Sequence, residues 1–300
     1  MKKKESPCPV KKPGFTGNIF KSLITGMANQ KNKIEPYYFC ENAVIFNNDC
    51  LDVLTRLPEN SIDMIFADPP YMLSNNGFTC RNGKTANVNK GKWDKSRGLD
   101  EDFKFHDAWV SACRRVLKPE GTIWISGTYH SIYQCGYILQ KNGFHILNDI
   151  AWFKPNASPN LSCRFFTASH ETIIWARKGE KAKHTFNYEK MKNGIFSEDR
   201  MKRENTQMRS VWSIPTPKNS EKELGKHPTQ KPLALLSRIV MASTNEDNII
   251  LDPFNGGGTT GIASLIIGKR YYIGIETEKK YCQLTKDKLL DLTKEPTLFQ

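Results

Sequence analysis

The chain has 300 residues, 38% of them hydrophobic, and a formal net charge of +13 from 44 Lys and Arg against 31 Asp and Glu. That length suits one large α/β domain with an appended segment, or two small domains. No apolar run approaches the ~20 residues of a membrane helix, and Lys2-Lys3-Lys4 leads into Pro and Lys, so neither a span nor a secretory signal is expected.

The eight cysteines are scattered without metal-like close pairs, which fits reduced thiols in a cytosol and no metal site. Charge is segregated: residues 1–35 carry a surplus of six positive charges and residues 178–226 a surplus of five. A near-neutral core flanked by two polyanion-binding stretches is the expected arrangement.

Along the chain, residues 1–35 are rich in Lys, Pro, Gly and Asn and read as a basic flexible arm, with a short helix near Ile19–Met27. Val44-Ile45-Phe46 predicts a buried strand, and Leu51, Val53, Leu54 and Leu57 a helix after it. Residues 62–67 predict a strand that delivers Asp68 at its carboxyl end. The polar, Gly- and Asn-rich stretch 74–100 is long for a structureless connection and reads as a functional loop.

Phe105, Trp109, Ala112, Val116 and Leu117 recur at helical spacing, stopped by Lys118-Pro119-Glu120-Gly121. Strands are expected at 122–127, 144–153 and 171–176, and a helix at 132–141. Apolar periodicity fades from Arg177 to Pro232, which marks 178–226 as a target-recognition segment between two parts of one catalytic domain, 36–177 and 227–300. The remaining order is helix 233–242, strand 248–251, helix 259–267, strand 271–275 and helix 278–290. Strands alternating with helices imply a mostly parallel sheet covered on both faces.

Two motifs carry chemistry. Asp252-Pro253-Phe254-Asn255-Gly256-Gly257-Gly258-Thr259-Thr260 joins a strand to a helix, where backbone approaches a ligand closely and helical N–H groups face it. Glu276 ends the next strand, where an acid accepts hydrogen bonds from ribose hydroxyls. The turn matches neither a P-loop nor Gly-x-Gly-x-x-Gly.

The second motif is Asp68-Pro69-Pro70-Tyr71. The exocyclic nitrogen of adenine is a poor nucleophile, because its lone pair is delocalised into the ring. Asp68 and the carbonyl of Pro69 offer acceptors for its hydrogens. The prolines fix the backbone, and Tyr71 offers a face for the base.

The glycine turn resembles the S-adenosylmethionine turn of amino-group DNA methyltransferases. With the catalytic motif first, the chain looks like a β-class adenine-N6 DNA methyltransferase, and is particularly similar to DpnA-type enzymes that accompany restriction systems reading GATC. Matching stretches are residues 66–71, 90–95, 159–164, 171–177 and 226–232, and the resemblance runs from about residue 37 to about 290. It departs at Gly257, where the family usually has Ser or Thr.

The resemblance implies a Rossmann-like methyltransferase fold with circularly permuted motifs. It implies S-adenosylmethionine held by Asp49, Asp68, His227, Thr229, Lys231, Asp252, Phe254, Asn255, Gly256, Gly258, Thr259, Thr260 and Glu276. Lys231 would pair with the cofactor carboxylate, and Asp49 would contact its adenine or cap a helix. Trp93, Asn160, Arg164, Lys202, Arg203 and Arg209 would contact DNA.

A target inside a duplex must be flipped out, so double-stranded and also single-stranded DNA are expected substrates. A homodimer and a cognate restriction endonuclease are expected partners, in a cytoplasmic, DNA-associated setting. Cytosine-N4 methylation, RNA adenine methylation and a catalytically silent nucleic-acid-binding paralogue stay open beside this reading. Cytosine-C5 chemistry lacks its Pro-Cys-Gln pattern.

Overall fold

The computed structural model describes residues 15–28, 33–74, 78–81, 84–87, 89–160, 162–192 and 206–292. A nine-stranded mixed sheet organises it, in the order β1 (Tyr38–Phe39), β2 (Ala43–Asn47), β11 (Tyr271–Glu276), β10 (Ile249–Asp252), β3 (Ile62–Ala67), β6 (Leu117–Gly127), β8 (His170–Arg177), β7 (His145–Phe153), β9 (Val211–Ser213). The five strands from β2 to β6 pair in parallel, β8 runs antiparallel to both its neighbours, and β9 pairs in parallel with β7. The carboxyl ends of β2, β11, β10, β3, β6 and β7 therefore share one edge with the amino end of β8.

Two apolar layers sandwich the sheet. On one face pack α1 (Phe15–Ala28), α2 (Cys50–Leu54), α3 (Leu99–Val116) and α4 (Ile132–Lys141), with Trp109, Val116 and Leu139 almost fully buried. On the other lie α5 (Tyr188–Lys192), α6 (Leu233–Ser243), α7 (Thr259–Ile267) and α8 (Lys279–Leu292). There Trp124 stacks on Trp175 with ring centroids 4.7 Å apart. No described helix is long and apolar enough to cross a membrane. A mostly parallel sheet needs both faces covered, which is why its central strands are apolar on both sides.

Three expectations change. Residues 15–28 of the expected arm form a full helix, because Phe20, Leu23, Ile24 and Met27 repeat at helical spacing and are buried. Phe20 stacks on Tyr271 at 5.1 Å, so this helix belongs to the core. Within the polar stretch 74–100, β4 (Phe78–Arg81) and β5 (Lys84–Asn87) pair as a separate antiparallel ribbon, and α3 begins at Leu99.

The segment 178–226 is not set apart from the domain. Met191, Trp212 and Ile214 are buried in the second layer, and β9 extends the main sheet. Their apolar positions are too sparse to give a periodic signal. Lys202 and Arg203 lie outside the described residues.

Candidate active site

A cavity of about 290 Å³ opens along the common edge of the sheet. The ends of β10, β11 and β3 place Asp252, Glu276 and Asp68 in its lining, together with Asp49, Phe254, Asn255, Gly256, Gly257, Thr259, Thr260, Trp93, His227, Thr229 and Lys231. The two motifs, 184 positions apart at their first residues, are thus brought to one cleft by adjacent parallel strands.

The glycine turn is built from backbone. Gly256 and Gly258 adopt φ of +50° and +76°, a region in which a Cβ is strained. Gly258 caps α7, and a Cβ there would lie 2.5 Å from Thr285. Asp252 closes the turn by accepting from Phe254 N at 3.0 Å and from the Thr260 hydroxyl at 2.6 Å. Burial pushes its carboxyl up to about 7, against those two hydrogen bonds. Asn255 faces inward, accepting from the Tyr272 hydroxyl at 2.8 Å and donating to Thr285 at 2.8 Å. Asn255 therefore braces the turn.

Glu276 accepts from Gly256 N and Glu278 N, both at 2.8 Å. Burial raises its pKa despite these bonds. A carboxylate oxygen has more than one lone-pair direction, so the bonds leave acceptor capacity toward the cavity. Asp49 caps α2 by accepting from Leu51 N at 2.8 Å and also lines the cavity.

The mouth of the cleft is aromatic. Trp93 stacks over His227 at 5.9 Å, and His227 meets Tyr281 edge-on at 4.3 Å. Burial, then the nearby Lys231, Lys288 and Lys280, drives His227 down to about 3, so it is neutral at physiological pH. Trp93, expected among the DNA contacts, lines this cavity beside His227.

The catalytic motif is held by charge. Asp68 Oδ1 accepts from the Tyr71 hydroxyl at 2.6 Å, and Asp68 Oδ2 pairs with Lys231 Nζ at 2.5 Å. The Tyr71 hydroxyl also lies 2.9 Å from Glu171 Oε2 and 3.0 Å from Ser126 Oγ. Glu171 pairs in turn with Lys154 at 2.5 Å and with Lys231 at 3.5 Å. Two carboxylates and two ammonium groups thus surround one phenol in a closed, neutral cluster.

Burial raises Asp68 above its ordinary range, opposed by Lys231. Glu171 suffers the same desolvation, but Lys231 and Lys154 outweigh it and hold it down at about 2. Burial opposes the charge on Lys231, yet Asp68 and Glu171 keep its pKa above the usual lysine value.

The backbone of the motif is clamped from the far side of the polar stretch. Asp94 accepts from Tyr71 N at 2.9 Å and from Ser74 Oγ at 2.8 Å, and Met72 turns the chain at φ +59°. Glu171, Lys154 and Ser126 escaped sequence reasoning. A lone acid opening an apolar strand is their one signal; Ser126 and Glu171 meet Tyr71 across 55 and 100 positions, and Lys154 joins only through Glu171.

Three residues expected to touch DNA are described outside the cavity. Arg209 and Arg164 are exposed. Asn160 donates to Phe165 O at 2.8 Å and accepts from Ser162 N at 3.0 Å, so its amide shapes a turn.

A buried carboxylate and a tyrosine share one cavity with a glycine turn, an arrangement suited to group transfer. The sequence model of a DNA methylase family matches residues 62–287, and the chain belongs to that family. It is 48% identical to the type II methyltransferase M2.MboI of Moraxella bovis over 265 residues, covering 87% of this chain and 93% of that protein. It is 46% identical to M2.DpnII of Streptococcus pneumoniae over 256 residues, covering 85% and 92%.

Among solved structures it resembles the M1.HpyAVI–SAM complex, with a TM-score of 0.59, 30% identity, and 82% and 98% of the two chains covered. The cytosine-N4-specific PvuII DNA methyltransferase shares the fold, with a TM-score of 0.66 at 18% identity over 87% and 93%.

Proposed function

We propose that this protein transfers the methyl group of S-adenosylmethionine to N6 of adenine in DNA, within GATC, as the modification enzyme of a restriction system. The observation that carries the reading is the placement of Asp68 and Tyr71 on the same cavity as the glycine turn and Glu276. The relatives M2.MboI and M2.DpnII are type II methyltransferases, and M1.HpyAVI was solved with SAM.

The residues present fit that cofactor. Gly256, at φ +50°, presents bare backbone to the cavity, Glu276 has acceptor capacity for ribose hydroxyls, and Asp49 lines the same cavity for the adenine. Lys231 is the buried cation for a carboxylate. When bound, the cofactor supplies an electrophilic methyl on a sulfonium.

The protein's share is acceptors and orientation. Asp68 Oδ2 and the Pro69 carbonyl would accept hydrogen bonds from the two amino hydrogens, so that the nitrogen lone pair is freed from the ring, and the one proton released on methylation would leave through Asp68 to water. Oδ2 is engaged by Lys231, so productive binding requires Lys231 to turn from Asp68. Glu171 then keeps Lys231 and Tyr71 in register, acting as a positioning residue. Proximity and orientation provide most of the acceleration. Duplex DNA requires base extrusion, and single strands avoid much of that cost. The active form pairs as a homodimer and works beside a cognate endonuclease.

The test is direct. Plasmid DNA incubated with labelled S-adenosylmethionine, digested to nucleosides and mapped by sequencing, should contain N6-methyladenine in GATC. N4-methylcytosine, or label elsewhere, would overturn the assignment.

A further inference from the structure

We infer that Phe166, with Phe165 and Arg164, forms a wedge that enters the duplex and takes the place of the extruded base. This rests on the DNA-methylating reading above. Phe166 is 97% exposed and Phe165 68%, the former the most exposed large hydrophobic residue among those described. Adjacent phenylalanines in water are costly, each leaving a large apolar surface unburied. A lasting function for them requires an apolar surface to meet, and the faces of stacked bases are one.

Their location is set by topology. The loop 154–169 joins the carboxyl end of β7 to the amino end of β8, on the edge that bears Asp68 and Asp252. Its two roots adjoin the catalytic motif: Lys154 begins it, Glu171 follows it, and these two hold each other at 2.5 Å beside Tyr71.

The described residues of the loop are braced by hydrogen bonds. Lys154 N donates to Ser169 O at 2.7 Å, closing its base. Asn156 exchanges two hydrogen bonds with Thr216, at 3.0 and 3.1 Å. Nearer the tip, the Asn160 side chain ties Ser162 to Phe165, while Cys163 turns the chain at φ +53°. Rings projected from a braced loop lose little further freedom on insertion, which favours a wedge over a merely adaptable contact.

Arg164 stands beside the rings and carries charge suited to the flanking phosphates. Proteins that unstack a base step do so with apolar side chains of this kind. The free face, the adjacent cation and the catalytic edge together select duplex DNA as the occupant.

The experiment compares Phe166→Ala, Phe166→Trp and Phe165→Ala in the full chain. One substrate is a duplex with the mapped target adenine paired, and the other has that adenine mispaired. A third duplex carries 2-aminopurine at the target to report extrusion by fluorescence. Phe166→Ala should lose about tenfold or more of its rate on the paired duplex, with most of the fluorescence rise. On the mispaired duplex, where extrusion is cheap, the loss should stay under about threefold. Phe166→Trp should restore both signals, and Phe165→Ala should show a smaller loss.

Equal losses on both duplexes, or none on either, would overturn the wedge while leaving methylation intact. Unaltered protein that methylated single strands but not the paired duplex would overturn the wedge alone, whereas unaltered protein that methylated neither would sink the DNA reading, and the wedge with it.

Discussion

The turn at 252–258 and the motif at 68–71 sit at the ends of neighbouring strands, yet they are held in different ways. The cofactor turn is fixed by backbone geometry. Positive φ values at Gly256 and Gly258, the two bonds to Asp252, and Asn255 locked between Tyr272 and Thr285 leave it little freedom. The catalytic motif is fixed by a closed set of charges around Tyr71, and one of those charges occupies the oxygen that the proposed transfer assigns to the substrate. A backbone cradle is ready for its ligand. A charge cluster must exchange partners before it can act, and this makes Lys231 the hinge between the two halves.

The sharpest way to separate the halves is Asp68→Ala. Removing a preorganised electrostatic group of this kind lowers transfer by about 10²–10³ or more. Cofactor affinity, measured by calorimetry, should remain within about tenfold of the parent, equivalent to ~1.4 kcal/mol. A comparable loss in both measurements would mean that the two regions are not held independently.

Lys231→Met tests the hinge, with the next largest effect. Asp68 loses the charge that counters its desolvation, so its already raised pKa moves further up. Its carboxylate is the acceptor in transfer, so the acid limb of kcat/KM against pH should shift to higher pH. At neutral pH the rate should fall by about 10²-fold, with partial recovery toward pH 9. A uniform loss at every pH would assign Lys231 to the cofactor alone.

Sequence reasoning worked where a local pattern carries the geometry. The bounds of α7 follow from Gly258 and the apolar run behind Thr259, and the strand before Asp68 follows from Ile62, Met64, Ile65 and Phe66. It failed where function depends on meetings across the sheet. Glu171 reads as the polar start of an apolar strand until β8 pairs with β6 and brings it to Tyr71. The apolar repeat of α1 is diluted by Gly17, Asn18, Lys21 and Gly26, so a core helix reads as part of a basic arm. Trp212 gave no periodic signal because β9 has three residues.

The backbone half can be strained without touching a charge. Gly258→Ala places a methyl at φ +76° against Thr285, a cost of about 1–3 kcal/mol. Its melting temperature should fall by about 2–4 °C per kcal/mol, and cofactor affinity should weaken with it. Gly257→Ser restores the residue usual in the family and has no positive φ. Its Cβ would meet His227 Cβ at 3.2 Å, a contact that a small shift relieves, so its cost should stay below about 1 kcal/mol. Equal effects at the two positions would show that crowding, not backbone handedness, governs the turn.

The smallest expected effects set two buried groups of the cofactor half against each other. His227 is depressed to about 3 in the folded chain and titrates near 6.5 when unfolded. Folding then excludes a proton, so its contribution is harmless above pH 6.5 and turns increasingly destabilising as pH falls toward 3. Asp252 has the opposite sign. Its folded value of about 7 exceeds the unfolded 3.8, so the stability it supplies is full below pH 3.8 and is lost as pH rises through 7.

Relative to the parent protein, His227→Gln should therefore gain melting temperature progressively below pH 6.5. Asp252→Asn should gain it progressively between pH 4 and 7. Each trend should amount to at least about 2–4 °C across its window, after the constant cost of the lost contacts is subtracted. Melting curves taken at half-unit pH steps without cofactor would measure both slopes. Parallel slopes of the same sign would show that these side chains do not hold the protonation states inferred from their burial.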